Sequence, residues 1–471
     1  MTGDRLASVT ERHSHSASQQ KTTNDLGSST LPSLSISPLL NSPRHEKVDR
    51  RWTVGAILAS SFLSLLGFTM TGPITPALGR YFELEAGASF GSLTSAYPMG
   101  MFVGVFIWPA LSDRIGRKPV IALSLFGSGL GLTLQSLVIR SDGSLSLFLA
   151  MRMLTGLFAG NSPVSKALLA DLGFQDGNLP KYLALKDASA TAAYVIGPAA
   201  GGIMYDLIHR HRTGNAEDML SSDSLSIVIG VSAAASIVAS MAVMLFVKES
   251  YAKERWNKKI RNDDTNQDST PFSLIAATLM GAPSIFIVSF LFNIGDATFH
   301  AFFAQLLKHD GHFDAKSIGL VYTFMACISF LMSATSVGSI LKNHGPVATC
   351  AAGLFIVSTG LLGIGASAFG SSASFAWRWI VAFASLFCSG VSLYGPSIPA
   401  MLFQHVEANQ RGKILGLDGA INTIGRVIGP ILLGGVSSRL GSAAAFASAG
   451  LVVLCGSFAL RLSHPRVSLK P

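Results

Sequence analysis

P-A-L-S-D-R-I-G-R-K-P, from Pro109 to Pro119, stands between two long apolar runs, Phe90–Leu111 and Val120–Ile139. Each run is long enough to cross a hydrocarbon core of about 30 Å, which takes about 20 apolar residues. Asp113, Arg114, Gly116, Arg117 and Lys118 are therefore held in a short loop at a membrane surface. The rest of the chain repeats this arrangement.

Composition points the same way. Charged residues make up 13% of the chain, against about 25% in soluble proteins. The 47 glycines suit helices packed closely in lipid, where small residues let backbones approach. The net charge of +9 raises the question of nucleic acid, but the basic residues sit in short loops between apolar spans, so topology explains them and no nucleic-acid partner is expected. Cys327, Cys350, Cys388 and Cys455 all lie in apolar runs, which argues against a disulfide framework. No H-E-x-x-H, G-x-S-x-G or Walker pattern appears, so the expectation is no enzyme, no cofactor and no metal.

Residues 1–50, rich in Ser, Thr, His and Pro, read as a disordered tail without a cleaved signal peptide. Twelve apolar segments follow, near 53–78, 90–111, 119–139, 145–171, 182–207, 224–247, 283–307, 316–341, 347–369, 376–403, 411–438 and 442–462. Runs this long exclude barrel strands and leave helices as the way to satisfy the backbone in lipid. The fold class is an all-α membrane protein of twelve transmembrane helices. A polar linker at 249–271 divides it into bundles at 51–248 and 272–462, with a short tail at 463–471. The linker reads equally as a surface-lying amphipathic helix or a flexible tether. Lys and Arg crowd the stretch before span 1, the loop after span 2 and the linker, which places both termini in the cytosol.

The halves echo each other about 230 residues apart. Gly345 in G-S-I-L-K-N-H-G-P (Gly338–Pro346) falls where Gly116 does, with Lys342 in place of Asp113. G-P-A-A-G-G (Gly197–Gly202) in span 5 is matched by G-P-I-L-L-G-G (Gly429–Gly435) in span 11. Pro198 and Pro430 each remove an amide donor and let the helix bend, while Gly197, Gly201, Gly202 and Gly429 allow close packing.

Charges inside spans are costly and mark candidate sites. Asp296 and His300, one turn apart with Asn293 on span 7, read either as a proton- or substrate-handling group or as a structural pair with a buried cation such as Arg426. Arg152 in span 4 reads as a functional guanidinium or as one snorkelling from the outer end of its span. With Arg426 and Lys166 it gives the space between the halves a cationic bias, which favours an anionic substrate.

These motifs together resemble the twelve-helix drug:proton antiporter branch of the major facilitator superfamily, and tetracycline-efflux carriers in particular, over about residues 53–462. L-G-F-T-M-T-G-P-I-T-P (Leu66–Pro76) and Q-R-G-K-I-L-G through G-R-V-I-G-P (Gln410–Pro430) belong to the likeness. The resemblance implies two pseudo-symmetric six-helix bundles exporting a small organic molecule, a drug-like compound or a metabolite, in exchange for protons by alternating access. It implies a gating role for Asp113, an antiporter motif around Pro198 and a transport role for Arg152. Related carriers often place an aspartate in span 1 where Ser64 stands here, so proton coupling would move to Asp296 or be absent. The alternatives are an organic-anion or carboxylic-acid exporter or facilitator without strict proton coupling and, more remotely, a nutrient sensor. The expected setting is a multi-pass monomer in the plasma membrane, or in a vacuolar or other organelle membrane, with small molecule, protons and lipid as partners.

Overall fold

The computed structural model of the protein describes residues 44–84, 87–160, 162–176, 179–213, 222–248, 283–309, 311–370, 373–404 and 411–463. The tail before Arg44, the 249–271 linker and the C-terminal tail from 464 lie outside the described residues. Met1–Glu46 form a separate unit, whose described part is the start of the first helix, and Lys47 onward forms one compact unit. The helices are α1 (Arg44–Met70), α2 (Thr75–Tyr81), α3 (Ala88–Ile115), α4 (Arg117–Arg140), α5 (Leu145–Phe158), α6 (Ser162–Asp176), α7 (Leu179–Thr213) and α8 (Ser222–Phe246) in the first half. The second half holds α9 (Pro283–His309), α10 (Ala315–Met332), α11 (Gly338–Gly370), α12 (Ala373–Leu402), α13 (Arg411–Leu440) and α14 (Ser442–Ser463).

Nine stretches among the described residues are long and apolar enough to cross a membrane, and one of them, Ala315–Phe369, is long enough to cross twice. Span 4 falls outside that set because it is broken into α5 and α6, and span 5, the 35-residue α7, because of its polar residues. The protein is thus an all-helical, multi-pass membrane protein. Two expected spans are interrupted. Span 1 stops at Met70, and the chain re-enters helix at Thr75 after Gly72-Pro73. Span 4 breaks at Ala159–Asn161 ahead of Pro163, with Asn161 outside the described residues. A broken helix in lipid must have its freed carbonyls satisfied by neighbours. Trp108 Nε1 donates to Leu157 O at 2.6 Å, and Ser124 Oγ donates to Phe158 O.

The two loop glycines are conformational equivalents. Gly116 (φ 105°) ends α3 and starts α4, and Gly345 (φ 78°) makes the corresponding turn inside α11, so span 9 starts at Pro346. Both positions lie in the left-handed region that favours glycine. A short π turn at Ser333–Val337 leads into this second loop.

The halves meet at two helix crossings, α3 on α13 and α7 on α10. At the first, a Cβ on Gly91 would overlap the Pro430 carbonyl oxygen; at the second, a Cβ on Gly319 would overlap that of Pro198. A Cβ on Gly202 would meet Ala315 O, and one on Gly434 would stand 2.6 Å from Gly87 O. Hydroxyls tie each crossing. Ser95 Oγ donates to Val427 O at 2.9 Å, and Thr323 Oγ1 donates to Val195 O at 2.7 Å. Ser95 and Thr323, like Val195 and Val427, are counterparts in the internal repeat, so one bond is built twice. Arg210 on α7 also reaches Asp314, the N-cap of α10, at 3.7 Å. Burial alone would raise the Asp314 carboxyl, but hydrogen bonds from Ser317 and the Arg210 and Lys316 charges outweigh it and hold the group below its ordinary value.

All these contacts lie at the end of the bundle opposite the chain termini. Among the described residues, these contacts close the end of the space between the halves that lies opposite the chain termini.

Gly91→Val is expected to prevent the seal from forming. Forcing bulk against a backbone costs about 1–3 kcal/mol, enough to deplete the sealed state roughly tenfold. Labelling of a reporter cysteine at Thr323 by a membrane-impermeant maleimide, added from the sealed side, should rise in Gly91→Val. Unchanged labelling would show that the glycine–carbonyl crossing does not hold the seal.

Candidate functional site: a cavity in the second half

The second half lines a cavity of about 270 Å³ with side chains from α9, α12 and α13. On α9, Ser289, Asn293, Asp296 and His300 follow helical spacing along one face; on α13, Asp418, Asn422 and Arg426 do the same. Glycine brings the two stripes together. A Cβ on Gly425 would stand 2.9 Å from Phe290 O and one on Gly429 2.7 Å from Ile294 O, so α13 lies almost on the α9 backbone. Gly429, expected as part of a kink motif, is the packing surface that places the site.

Arg426 stands at the centre. Its Nη2 lies 3.5 Å from Asp296 Oδ2, and its Nε donates to Asn293 Oδ1 at 3.0 Å. His300 Nε2 lies 3.6 Å from Asp296 Oδ1. The Asp296 side chain is 7% exposed, whereas those of His300 and Arg426 are about half exposed. Asn293, Asp296, His300 and Arg426 therefore form one group, as one of the two sequence readings anticipated. Its carboxylate offsets the Arg426 charge and so reduces the cationic bias expected from sequence.

The network continues to residues that the sequence reading passed over. Asn293 Nδ2 donates to Ser289 O at 2.8 Å and to Asn422 Oδ1 at 2.9 Å. Asn422 Nδ2 donates to Asp418 Oδ2 at 3.0 Å. Tyr394 on α12 reaches Ser289 with its hydroxyl and stacks on Phe292 with ring centroids 3.6 Å apart. The signal for Asp418 was present as D-x-x-x-N-x-x-x-R ending at Arg426.

The first half contributes a smaller cavity of about 40 Å³, lined by Ser64, Phe68, Tyr97, Gln135, Arg152 and Thr155 among others. Arg152 Nε is shut off from solvent and has no hydrogen-bond partner among the described residues, while the residue as a whole is half-buried. Among the described residues, no Asp or Glu lines this cavity. Gly197 packs on Thr69, Gly201 on Met70 O, and Gly202 faces α10 across the halves.

The remaining candidates lie elsewhere. Lys166 Nζ sits 4.0 Å from Asp187 Oδ1, with both side chains more than half exposed, and lines neither cavity. In the gate loop, Arg117 Nε pairs with Asp171 Oδ2 on α6 at 2.9 Å, and both side chains are largely buried. Arg114 is exposed and Lys118 half-buried. The side chain of Asp113 lies outside what the structure describes.

A family model described as Major Facilitator Superfamily matches residues 57–376 and, in a second match, 285–471. The chain belongs to the Major Facilitator Superfamily. It is a transporter of that superfamily rather than an enzyme. Among curated members, it is 22% identical over 420 residues to "Multidrug resistance protein 2" of Bacillus subtilis (strain 168), covering 87% of this chain and 95% of that protein. It is 21% identical over 384 residues to "Tetracycline resistance protein, class E" of Escherichia coli, covering 81% and 86%. Among solved superfamily structures, the human organic anion transporter MFSD10 (TETRAN) superposes with a TM-score of 0.60 at 17% identity, covering 89% of this chain and all of that one. A D-xylose-proton symporter superposes with a TM-score of 0.69 at 14% identity, covering 86% and 96%.

Removing Arg426 leaves a buried carboxylate facing only His300. Arg426→Ala should lower stability by about 1–3 kcal/mol, read as a drop in the thermal midpoint of the purified protein. Asp296→Asn in the same background should restore most of it. A double variant no more stable than Arg426→Ala would mean that the pair is not coupled.

Proposed function

We propose that the protein exports a small organic molecule from the cytosol in exchange for protons, by alternating exposure of the cavity between its halves. The observation that carries this reading is a cavity with a polar network in the second half, beside two repeat-related crossings that close one end of the space between the halves among the described residues. The basic loops support a cytosolic setting for both termini and for the end opposite the crossings, and the plasma membrane is the proposed location. Two six-helix halves, 51–248 and 272–462, move as bodies about the cavity, and the protein works as a monomer. The curated relatives named for multidrug and tetracycline resistance support export of drug-like compounds.

The residues take distinct parts. Asp296, with His300 and Arg426, meets the substrate and exchanges charge with it: a substrate group that draws Arg426 away leaves Asp296 to take a proton. The loop with Asp113, Arg114, Gly116, Arg117 and Lys118 latches the cytosolic end when it closes, and Arg117–Asp171 already fixes the loop to α6. Pro198 and Pro430 permit the bend at each crossing.

A second reading, transport of an organic anion, is favoured by Arg152, whose buried Nε has no hydrogen-bond partner and whose cavity has no carboxylate in its lining among the described residues. The structural neighbour described as an organic anion transporter agrees with it.

Proteoliposomes with an imposed pH gradient decide between them. Flux of tetracycline or of a lipophilic cationic dye should collapse when a protonophore is added, and Asp113→Asn should depress flux without loss of folded protein. Flux indifferent to the protonophore would remove proton antiport. Preferential flux of a fluorescent carboxylate, lost in Arg152→Gln, would select the anion reading.

A further inference from the structure

Around Ser289 there is one close approach of oxygens more than there are hydroxyl protons to bridge it. Ser289 Oγ lies 2.6 Å from Asp418 Oδ1, 2.6 Å from Asn422 Oδ1 and 3.1 Å from Tyr394 Oη. Two oxygens at such distances need a proton between them. Three approaches need three protons, and the serine and tyrosine hydroxyls supply one each.

Turning the Asn422 amide end for end does not remove the deficit, because its orientation is fixed from outside. The Arg426 guanidinium can only donate, so Asn293 presents Oδ1 to it. Asn293 then offers Nδ2 to the Ser289 carbonyl, which can only accept, and to Asn422. Asn422 must meet that donor with Oδ1, and its own Nδ2 donates to Asp418 Oδ2. With both amides pinned, the missing proton has one place left.

We propose that Asp418 is a proton-binding site of this protein, carrying its proton on Oδ1 and donating it to Ser289 Oγ. Ser289 in turn donates to Asn422 Oδ1 and accepts from Tyr394, so its hydroxyl makes one donation and two acceptances. Asp418 is 7% exposed, and no basic side chain forms an ion pair with it among the described residues. Tyr394 from α12, Asp296 from α9 and Arg426 on α13 itself are the other ionisable groups lining its cavity, with His300 beyond Asp296; α3 and α14 bring none to that lining. Asp296 faces Arg426 instead, at 3.5 Å. When the cavity opens to water, the Asp418 proton passes to a water molecule there, leaving a carboxylate hydrogen-bonded to Asn422. The direction of proton flow rests on the exporter reading; the presence of the proton does not.

Infrared difference spectroscopy of the full chain in nanodiscs tests it without any substrate. At neutral pH the unmodified protein should show a protonated-carboxyl C=O band that is absent in Asp418→Asn and kept in Asp296→Asn. Ser289→Ala, which keeps the acid and removes its acceptor, should retain the band and move it to higher frequency; this holds even if Asp418→Asn fails to fold. A band that persists in Asp418→Asn, that disappears in Asp296→Asn instead, that ignores Ser289→Ala, or that is missing from the unmodified protein would overturn the proposal. An intact Asp418 band beside flux that ignores a protonophore would keep the site and remove the antiport reading, so the two failures are distinct.

Discussion

Lipid gives two helix bundles no hydrophobic reason to associate, so the halves of this protein rely on how closely their backbones can approach. Glycine meets a proline carbonyl at Gly91–Pro430 and again at Gly319–Pro198, and a hydroxyl to a carbonyl lies one turn further along each crossing. Because these are the same contact made twice by the repeat, they share the load about a pseudo-symmetry axis. They are also few and local, which lets them part without disturbing the cores of the halves. Those cores are built around Phe299, Phe302 and Phe387 in the second half and around Ile57, Val120 and Leu168 in the first.

Polar chemistry follows from the same packing. Gly425 and Gly429 bring α13 onto α9, and only then can Asp418, Asn422 and Arg426 meet Ser289, Asn293 and Asp296. In a low-dielectric interior a partly satisfied network is costly, so each member constrains the next. The outcome is two acids in one cavity with different partners: Asp296 with a guanidinium, Asp418 with neutral donors. Neighbours that set two carboxyls apart in this way are the usual basis for dividing their roles.

Most of the fold could be read from sequence because lipid leaves few options: apolar runs of spanning length, basic loops and a repeat near 230 residues specify the helices and their order. Gly116 and Gly345 are matched in conformation as their alignment required. The breaks in spans 1 and 4 were harder to see, since the pairings that permit them, such as Trp108 to Leu157, are remote in the chain. The site was legible in part. Asn293, Asp296, His300 and Arg426 came together, while Lys166 lies with Asp187, because an apolar run does not reveal which face of its helix looks inward. Asp418 was passed over for the same reason, although its spacing to Arg426 marks a shared face.

Seal, cavity and network join in the proposed scheme, in which the crossings close one end and exchange with the opposite arrangement carries the cavity contents across. The most direct test measures two distances in the same sample by double electron–electron resonance. One spin-label pair spans α3 and α13 near the seal, and the other spans the loops at Gly116 and Gly345. Acidification with added substrate should lengthen the first distance and shorten the second. Distances that stay fixed, or that lengthen and shorten together, would contradict alternating access through this seal.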